Sequence, residues 1–502
     1  MRITNENLRK RRGRVWKAAG ATLAIGAALY SVSAEALPTF ARQTGWSCAT
    51  CHTSYPQLTP MGRMFKLLGY TTYNVQRQQK VEAKLGKSVG LLLMRLSQFS
   101  VFVQGAYTNV NGAPVNSRSN TVKFPEQLSL FYSGEITPHI GTFMHITYNG
   151  TSGGMAFDDS SIVWSHPWSV GSNKMLITAV DVNNTPSQTD IYNTSPDWVA
   201  PFYNPDATPG GPSTFIQQAA GAGLPLVGVG TYEAYLFGPN KANWIYFEAD
   251  AYAAGYGTGS NPNAGYIPGP TPPTDSQTDS PTYNGTGPYG TGPLAGAGNF
   301  PYGAGRLSGV APYVRLAYQH DWGNWNWEVG TFGMWSRVYD APGDIKTGQT
   351  DRFADYDLDT QLQWLDIANN NNLTVHASWI HEDQTFAPGT ALSSASSGHL
   401  NSLNVNAEYW YHDHYGAEAG YQNVWGSANP GLYGTGSMIS ANGSPDTTDE
   451  WVEASYLPWW NTRFAIRYTI FNKYQGLGGN SPVGTYDASA FNTLQLLAWL
   501  AF

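Results

Sequence analysis

The chain has few cysteines and few charged residues for its length. Only 2 of its 502 residues are cysteine, which excludes a disulfide framework and a cysteine-rich zinc site. Charged residues make up 12%, against about 25% in ordinary soluble domains. The formal net charge is −8, and this acidic balance argues against nucleic acid as a partner, because nucleic-acid binding depends on basic side chains.

Residues 1–36 have the pattern of a secretory signal peptide. Basic residues between positions 9 and 17 precede a short apolar run at 21–33, and Ala34-Glu35-Ala36 follows as a cleavage site. The apolar run is shorter than the roughly 20 residues of a membrane-spanning helix, which favours a cleaved signal over an anchor. We therefore expect an exported protein whose mature chain begins at Leu37.

Both cysteines lie in one motif, Cys48-Ala49-Thr50-Cys51-His52. This is the C-x-x-C-H attachment signal of a c-type haem, in which the two thiols bond the haem vinyl groups and the histidine ligates the iron. A thioredoxin-like pair shares the C-x-x-C spacing but belongs to a βαβ context that this sequence lacks. We predict one covalent haem c, held by Cys48 and Cys51 with His52 as the proximal axial ligand.

The rest of the chain consists of short runs in which apolar and polar residues alternate. Phe464, Ile466, Tyr468 and Ile470 share one face of such a run. Aromatic residues reach 14%, yet mean hydropathy is only −0.33, as expected when apolar side chains alternate with polar ones. We place sixteen predicted strands near 90–108, 126–135, 139–149, 157–166, 173–182, 226–238, 242–254, 310–321, 324–336, 351–366, 372–383, 400–412, 415–426, 448–458, 462–474 and 491–502.

Short connections alternate with long polar ones along these runs. The long segments are 183–225, 255–309, 384–399, 427–447 and 475–490. An even strand number and this alternation predict an all-β fold over 88–502, a transmembrane antiparallel β-barrel of about 16 strands surrounded by outer-membrane lipid. A carboxy-terminal Phe502 is typical of the assembly signal of such barrels. A soluble sandwich or propeller is the alternative, but no repeat of about 40–50 residues is present.

Residues 37–80 form a small helix-and-loop haem segment. So short a segment cannot build a core of its own, and a barrel of this strand number has a water-filled lumen unless something plugs it. We therefore expect the haem segment to enter the barrel from the periplasmic end and plug the lumen.

The residues around the haem motif carry a more specific likeness. Leu37 to Ser47, LPTFARQTGWS, and His52 to Tyr70, HTSYPQLTPMGRMFKLLGY, closely resemble the amino-terminal segment of the outer-membrane cytochrome–porin fusions that oxidise ferrous iron, as in acidophilic iron-oxidising bacteria. The detailed likeness covers 37–74. It implies an Fe(II)-oxidising cytochrome, an iron oxidoreductase, that takes electrons from extracellular Fe(II). It also implies a periplasmic c-type cytochrome or blue-copper protein as the electron acceptor.

The distal haem ligand has several candidates. Met64 and Met61 lie on a predicted short helix close behind His52, and a thioether ligand raises the haem potential. Lumen histidines such as His145 or His376 are alternatives, as is an open coordination position.

Carboxylates of the predicted lumen face are candidates for guiding Fe(II). Asp355, Asp357 and Asp359 alternate along one run, and Glu248 and Asp250 do so along another. Carboxylates bind hard or borderline cations and attract them electrostatically. An ordinary polar lumen lining is the competing interpretation.

Two other functions fit the same pattern. One is an outward conduit that reduces extracellular acceptors, and the other is a passive porin with a haem-stabilised plug.

Overall fold

The computed structural model describes residues 38–72, 98–112, 120–149, 154–202, 209–220, 226–254, 290–291, 307–339, 349–388, 395–433, 443–478 and 487–502. The predicted signal peptide at 1–36 lies outside the described residues, as does most of the predicted long polar segment 255–309.

Sixteen long strands make up most of the described structure. They are β1 (Phe99–Val110), β2 (Asn120–Thr137), β3 (Ile140–Asn149), β4 in two segments (Gly154–Phe157 and Ser161–Gly171), β5 (Lys174–Asn183), β6 (Leu226–Phe237), β7 (Asn243–Ala254), β8 (Val310–Trp322), β9 (Trp325–Tyr339), β10 (Thr350–Asp366), β11 (Asn371–Thr385), β12 (Ser397–Tyr411), β13 (Tyr415–Gly426), β14 (Thr447–Trp459), β15 (Thr462–Tyr474) and β16 (Thr493–Ala501). Each corresponds to one predicted run. The largest difference is at β1, which begins at Phe99, and positions 90–97 of its predicted run lie outside the described residues.

The sixteen strands close into one antiparallel barrel. Each strand pairs with the strands before and after it, and β16 pairs with β1 to complete the circle. The closing register places Phe102 opposite Ala501 and Val110 opposite Thr493. A closed barrel leaves no sheet edge, so the strand backbone is hydrogen-bonded within the wall and needs no water. The predicted fold class is confirmed.

Side chains alternate between the outer and the inner face of the wall. On β15 the outer face exposes Phe464, Ile466, Tyr468 and Ile470. The residues between them are buried, and β16 repeats the pattern. A belt of exposed apolar side chains around a barrel is what contact with lipid requires.

Connections at the two ends of the barrel differ in length. Links of two to five residues follow β2, β4, β6, β8, β10, β12 and β14, and they define the short-turn end. At the long-loop end the link after β3 has four residues, and longer connections follow β1, β5, β7, β9, β11, β13 and β15. Several short turns contain residues with positive φ, such as Asn240, Asn370 and Asp413, a conformation that asparagine and aspartate tolerate better than most residues. The predicted alternation of short and long connections is confirmed.

Residues 38–72, here called the plug, lie inside the barrel at its short-turn end. The plug contains α1 (Pro38–Thr44), α2 (Cys48–Cys51) and α3 (Pro60–Leu67). It contacts well-separated parts of the wall. Ser54 donates to Glu408 on β12 at 2.9 Å, and the Tyr232 hydroxyl on β6 donates to the Leu67 carbonyl at 2.9 Å. No helix among the described residues is both long enough and apolar enough to cross a membrane.

Arg63 of the plug reaches three neighbouring strands. Its guanidinium is fully buried and donates to four amide oxygens, those of Gln319 on β8, Asn326 on β9, and Gln361 and Gln363 on β10. Four of its five N–H donors are therefore satisfied, and only Nε lacks a partner.

The described parts of the connection between β5 and β6 also lie in the lumen. They are 184–202 and 209–220, include α4 (Phe215–Ala220) and are called the inward loop; 185–198 and 211–220 are buried. Asp190 lies 3.3 Å from Arg315 on β8, and the backbone N–H of Ile216 donates to a carboxylate on β10 at 3.0 Å. The sequence predicts 183–225 only as one of the long polar segments, and its described parts lie inside the barrel because polar groups of the inner wall bind them. A last short helix, α5 (Pro430–Tyr433), follows β13.

Gly141, at the start of β3, touches the end of the plug. A Cβ atom at this position would overlap the carbonyl oxygen of Gly69, which ends α3 with a φ of +63°. We expect Gly141→Ala to loosen the plug while the barrel stays closed, because overpacking costs about 1–3 kcal/mol. The rate of trypsin cleavage at Arg42 and Lys66 in the folded protein measures this.

Gly478→Ala is the matched control, since a Cβ atom there meets nothing within 4 Å. The control should be cleaved at the wild-type rate. Equal cleavage of all three proteins would contradict the docking of the plug against β3.

Candidate functional site

Cys48, Cys51 and His52 line one cavity inside the barrel. The two cysteines are three residues apart on the single turn α2, so they project to the same side. The backbone N–H of His52 donates to the Cys48 carbonyl at 2.9 Å and ends the turn. No disulfide joins the two thiols. The structure therefore brings together the three residues that the sequence motif predicts as a group.

The imidazole of His52 is suited to act as a ligand. Its Nδ1 atom is buried without a hydrogen-bond partner, and the ring packs against Tyr55 with 4.3 Å between centroids. Burial lowers the pKa of His52 to about 4, so the ring is neutral at higher pH and keeps a nitrogen lone pair. A neutral imidazole next to two thiols is the donor set that a c-type haem uses.

Aromatic side chains form much of the cavity wall. The cavity has a volume of about 390 Å³, within the range of ligand sites in proteins. Flat rings from the plug, the barrel wall and the inward loop surround it, among them Phe65, Tyr70, Phe131, Phe143, Trp198 and Trp499. Such walls pack against a planar macrocycle and keep water from it. The residues present thus fit a haem attached to Cys48 and Cys51.

Thr59 and Gly62, at the start of α3, both contact the turn α2. Thr59 caps α3 by accepting from the Gly62 N–H at 3.2 Å, and its hydroxyl donates to the Thr50 carbonyl at 2.6 Å. Gly62 is in such close contact that a Cβ atom would overlap the Cys51 carbonyl oxygen. The turn that carries both thiols is therefore held by the helix that follows it.

Neither methionine predicted as the distal ligand lines this cavity. Gly62 and Phe65 do, which places Met61 and Met64 on other faces of α3. Met61 is 47% exposed, and Met64 packs against a separate apolar cluster. His376 is buried beside Gln361 and does not line the cavity either. Neither methionine faces this cavity, but Met61 and His52 line a second pocket together, so the distal ligand stays a prediction.

The same cavity has a polar side. Lys66, His145, Asp158, Asp159 and Asp197 line it. The sequence predicts His145 only as a candidate haem ligand and does not predict the three aspartates as site residues. One signal in the sequence was available, because two adjacent aspartates interrupt the alternation at the start of the fourth strand.

Asp355, Asp357 and Asp359 do share the lumen face of β10, and each is buried. Their contacts, however, are with protein groups. Asp359 forms a bidentate ion pair with Arg315 at 2.8 and 2.9 Å, Asp355 accepts from the inward loop, and Asp357 accepts from Ser378 at 2.9 Å. The Asp355 contact holds the inward loop, and the other two lie within the wall. The three carboxylates thus have protein partners, and their guidance of Fe(II) stays a prediction.

Glu248 and Asp250 share the lumen face of β7 in the same way. Glu248 accepts from Thr189 of the inward loop and from Tyr246, and Asp250 accepts from Tyr252 at 3.0 Å. They too are bonded to neighbouring protein groups.

Comparison with known proteins finds no matching family model and no matching curated protein. Solved structures do match, each over 80% of this chain. The loop L8 deletion mutant of OmpT, an outer membrane protein of Vibrio cholerae, is 11% identical over 98% of its length, with a TM-score of 0.41. OmpF of Salmonella typhi in complex with daunomycin is 11% identical over 97%, with a TM-score of 0.40. The outer membrane channel DcaP of Acinetobacter baumannii is 10% identical over 96%, also with a TM-score of 0.40. At these identities the likeness concerns the barrel fold alone.

Thr59→Ala removes the cap of α3 and the bond to the Thr50 carbonyl. Loss of such a cap costs about 1 kcal/mol, so we expect faster amide hydrogen exchange over 48–67, measured by mass spectrometry. Thr50→Ala is the matched control, because its hydroxyl bonds only the exposed Ser47 hydroxyl. If both variants exchange alike, Thr59 does not hold the thiol turn.

Proposed function

We propose that this protein is an outer-membrane electron-transfer cytochrome that oxidises extracellular Fe(II). The barrel crosses the outer membrane, and the plug carries one covalent haem c. Electrons pass to a periplasmic c-type cytochrome or blue-copper protein. One observation carries the proposal: Cys48, Cys51 and His52 line an aromatic cavity inside the lumen of the barrel.

Each group of the chain has a role in this function. Cys48 and Cys51 anchor the haem, His52 ligates its iron, and the aromatic walls exclude water, which raises a haem potential. Lys66 lines the cavity, and burial lowers its pKa to about 8, so below that pH it offers a cation to the haem propionates. When bound, the haem supplies one-electron redox chemistry, accepting an electron from Fe(II) and releasing it to the periplasmic carrier.

The two ends of the barrel suggest the direction of electron flow. Outer-membrane barrels have short turns in the periplasm and long loops outside the cell. The plug, and with it the thiols, lies at the short-turn end, within reach of a periplasmic carrier. Fe(II) arriving from outside meets the long-loop end. A haem in this position connects the two sides of an otherwise insulating membrane.

A passive porin with a haem-stabilised plug is the second candidate. The sixteen-strand barrel favours it, because barrels of this size enclose a channel unless the lumen is filled. The plug and the inward loop oppose it, since they bury the polar lumen face of β8 to β12. An outward conduit shares every feature of the main proposal except the direction of flow.

Purified oxidised holoprotein mixed anaerobically with Fe(II) should show the absorption bands of reduced haem, because the haem accepts one electron per Fe(II). Cys48→Ala and Cys51→Ala should each prevent normal covalent loading, seen as loss of haem stain on a denaturing gel. Met64→Leu is the control and should retain the stain and the spectrum.

Three results would contradict the proposed oxidation of Fe(II). Wild-type protein without covalent haem refutes the cofactor. A haem that Fe(II) does not reduce, together with ion conductance across planar bilayers, identifies a passive porin. A reduced haem that extracellular acceptors oxidise, but that Fe(II) cannot reduce, identifies an outward conduit.

Epitope tags test the orientation. A tag within 255–309 or 427–447 should bind antibody on intact cells, since these segments belong to the long-loop end, whereas a tag at Gly238-Pro239 should not. The reverse labelling would place the plug at the cell surface and exclude delivery to a periplasmic carrier.

A further inference from the structure

A local irregularity lies in the barrel wall beside the cavity. β3 pairs with both segments of β4, with Ile146 opposite Phe157 and Phe143 opposite Ser161. Two residues of β3 thus face three residues of β4, namely 158–160, which is the pattern of a β-bulge. In a regular strand adjacent side chains point to opposite faces, but here both Asp158 and Asp159 line the cavity.

Hydrogen bonds hold the bulge in this form. The Asp158 N–H donates to the His145 carbonyl at 3.0 Å, and the His145 N–H donates to the Ser160 hydroxyl at 3.2 Å. Asn184 of the inward loop donates to the Asp158 carbonyl at 3.0 Å and accepts from the Ser160 N–H at 2.7 Å. The convergence of the two aspartates on His145 is therefore built into the fold.

We propose that His145, Asp158 and Asp159 form a divalent-cation site in the cavity that also contains Cys48, Cys51 and His52. As the binding place of Fe(II), the site rests on the proposed function; as a cation site it stands on its own geometry. One ligand atom from each of the three residues lies within 4.8 Å of the others, and His145 Nε2 is 2.8 Å from Asp158 Oδ2. One imidazole and two carboxylates suit borderline ions such as Fe(II) and Mn(II).

A fourth side chain points to a cation independently of these three. Asp197 of the inward loop lines the same cavity, is only 7% exposed, and its Oδ2 atom has no hydrogen-bond partner. Its carboxyl group contacts that of Asp159. Two buried carboxylates in contact need a proton or a cation between them.

The nearby basic groups do not neutralise the negative charge of these carboxylates. Lys66 donates to the Asp190 carbonyl at 2.6 Å, and its ammonium lies 4.3 Å from the centre of the Trp198 ring. Among the described residues, the only other basic group on this side of the cavity is His145 itself. Three carboxylates therefore face one lysine, and a divalent ion would balance the excess negative charge.

The cavity also extends from this site towards the long-loop end. Along β3 the order from the short-turn end is Phe143, His145 and Thr147, and all three line the cavity. Glu126 and Gln127 of β2 line it at the level of the end of β3. An ion that enters from the long-loop side would thus meet the His145 site before it reaches the thiols of the plug.

The electron balance of the step is simple. Fe(II) at this site would lose one electron and become Fe(III), and a haem held by Cys48, Cys51 and His52 would supply the one-electron acceptor. The periplasmic carrier then removes that electron, and no proton or further reactant is needed.

Mn(II) is the probe that separates cation binding from electron transfer, because it does not reduce a haem under these conditions. We would titrate Mn(II) into oxidised full-length holoprotein at near-neutral pH, where both carboxylates can ionise, and follow the free-ion signal by electron paramagnetic resonance. Wild-type protein should bind one Mn(II) at this site. Asp158→Asn and Asp159→Asn should each weaken binding by about 10–100-fold or more, the loss that even outer-shell partners cause.

Asp383→Asn is the matched control, since it makes the same change at an exposed carboxylate outside the cavity, and it should bind Mn(II) like wild type. Equal Mn(II) binding by all four proteins, or no binding by wild type, overturns the site. His145→Gln gives a further check: a shifted haem spectrum with Mn(II) binding retained would assign His145 to the haem iron and also overturn it.

Fe(II) reduction of the haem distinguishes the site from the function. Loss of Mn(II) binding in the Asn variants, with no Fe(II) reduction even in wild type, supports the cation site and refutes iron oxidation. Fe(II) reduction at the same rate in wild type and both Asn variants supports iron oxidation and refutes this site as its entry. Slower reduction in both Asn variants, with the control unchanged, supports both.

Discussion

The lumen of a sixteen-strand barrel is too wide for the side chains of its own wall to fill. Two segments fill it here, the plug and the inward loop, and two fully buried arginines attach them. Arg63 binds the plug to the amide oxygens of β8, β9 and β10, and Arg315 binds the wall to Asp190 and Thr194 of the inward loop. Tyr192 packs against Arg63, so the two fillings also stabilise each other. The cavity exists because these segments leave it between them.

Most of the barrel could be predicted from the sequence because its wall obeys a local rule. A strand between lipid and lumen alternates apolar with polar residues, and each predicted run depends only on its own residues. The paths of 184–202 and 209–220 do not follow that rule. The connection is polar and long, as an external loop would be, and these described parts lie inside because distant groups such as Arg315 and Glu382 bind them. A local sequence pattern cannot predict a contact between residues so far apart in the chain.

The same distinction separates the parts of the candidate site. Cys48, Cys51 and His52 are neighbours in the chain, so the motif predicts them together. Met64 is predicted as the distal ligand because it lies near His52 in the sequence. The face of α3 that meets the cavity, however, is set by the contact of Gly62 with Cys51. Asp158 and Asp159 lie more than 100 residues from the thiols, and only the bulge in β4 turns both inward. Such convergence depends on the register between strands.

The arrangement gives the two ends of the barrel different chemistry. The plug, at the short-turn end, carries thiols and an imidazole that suit a covalent haem. The wall and the inward loop contribute carboxylates on the long-loop side of the same cavity, where they suit a cation. In the proposed function, a haem attached to the chain would pass an electron across, while the ion that supplied it would stay on its own side. Filling the lumen is therefore compatible with transport of charge, because an electron needs a series of close contacts rather than a pore.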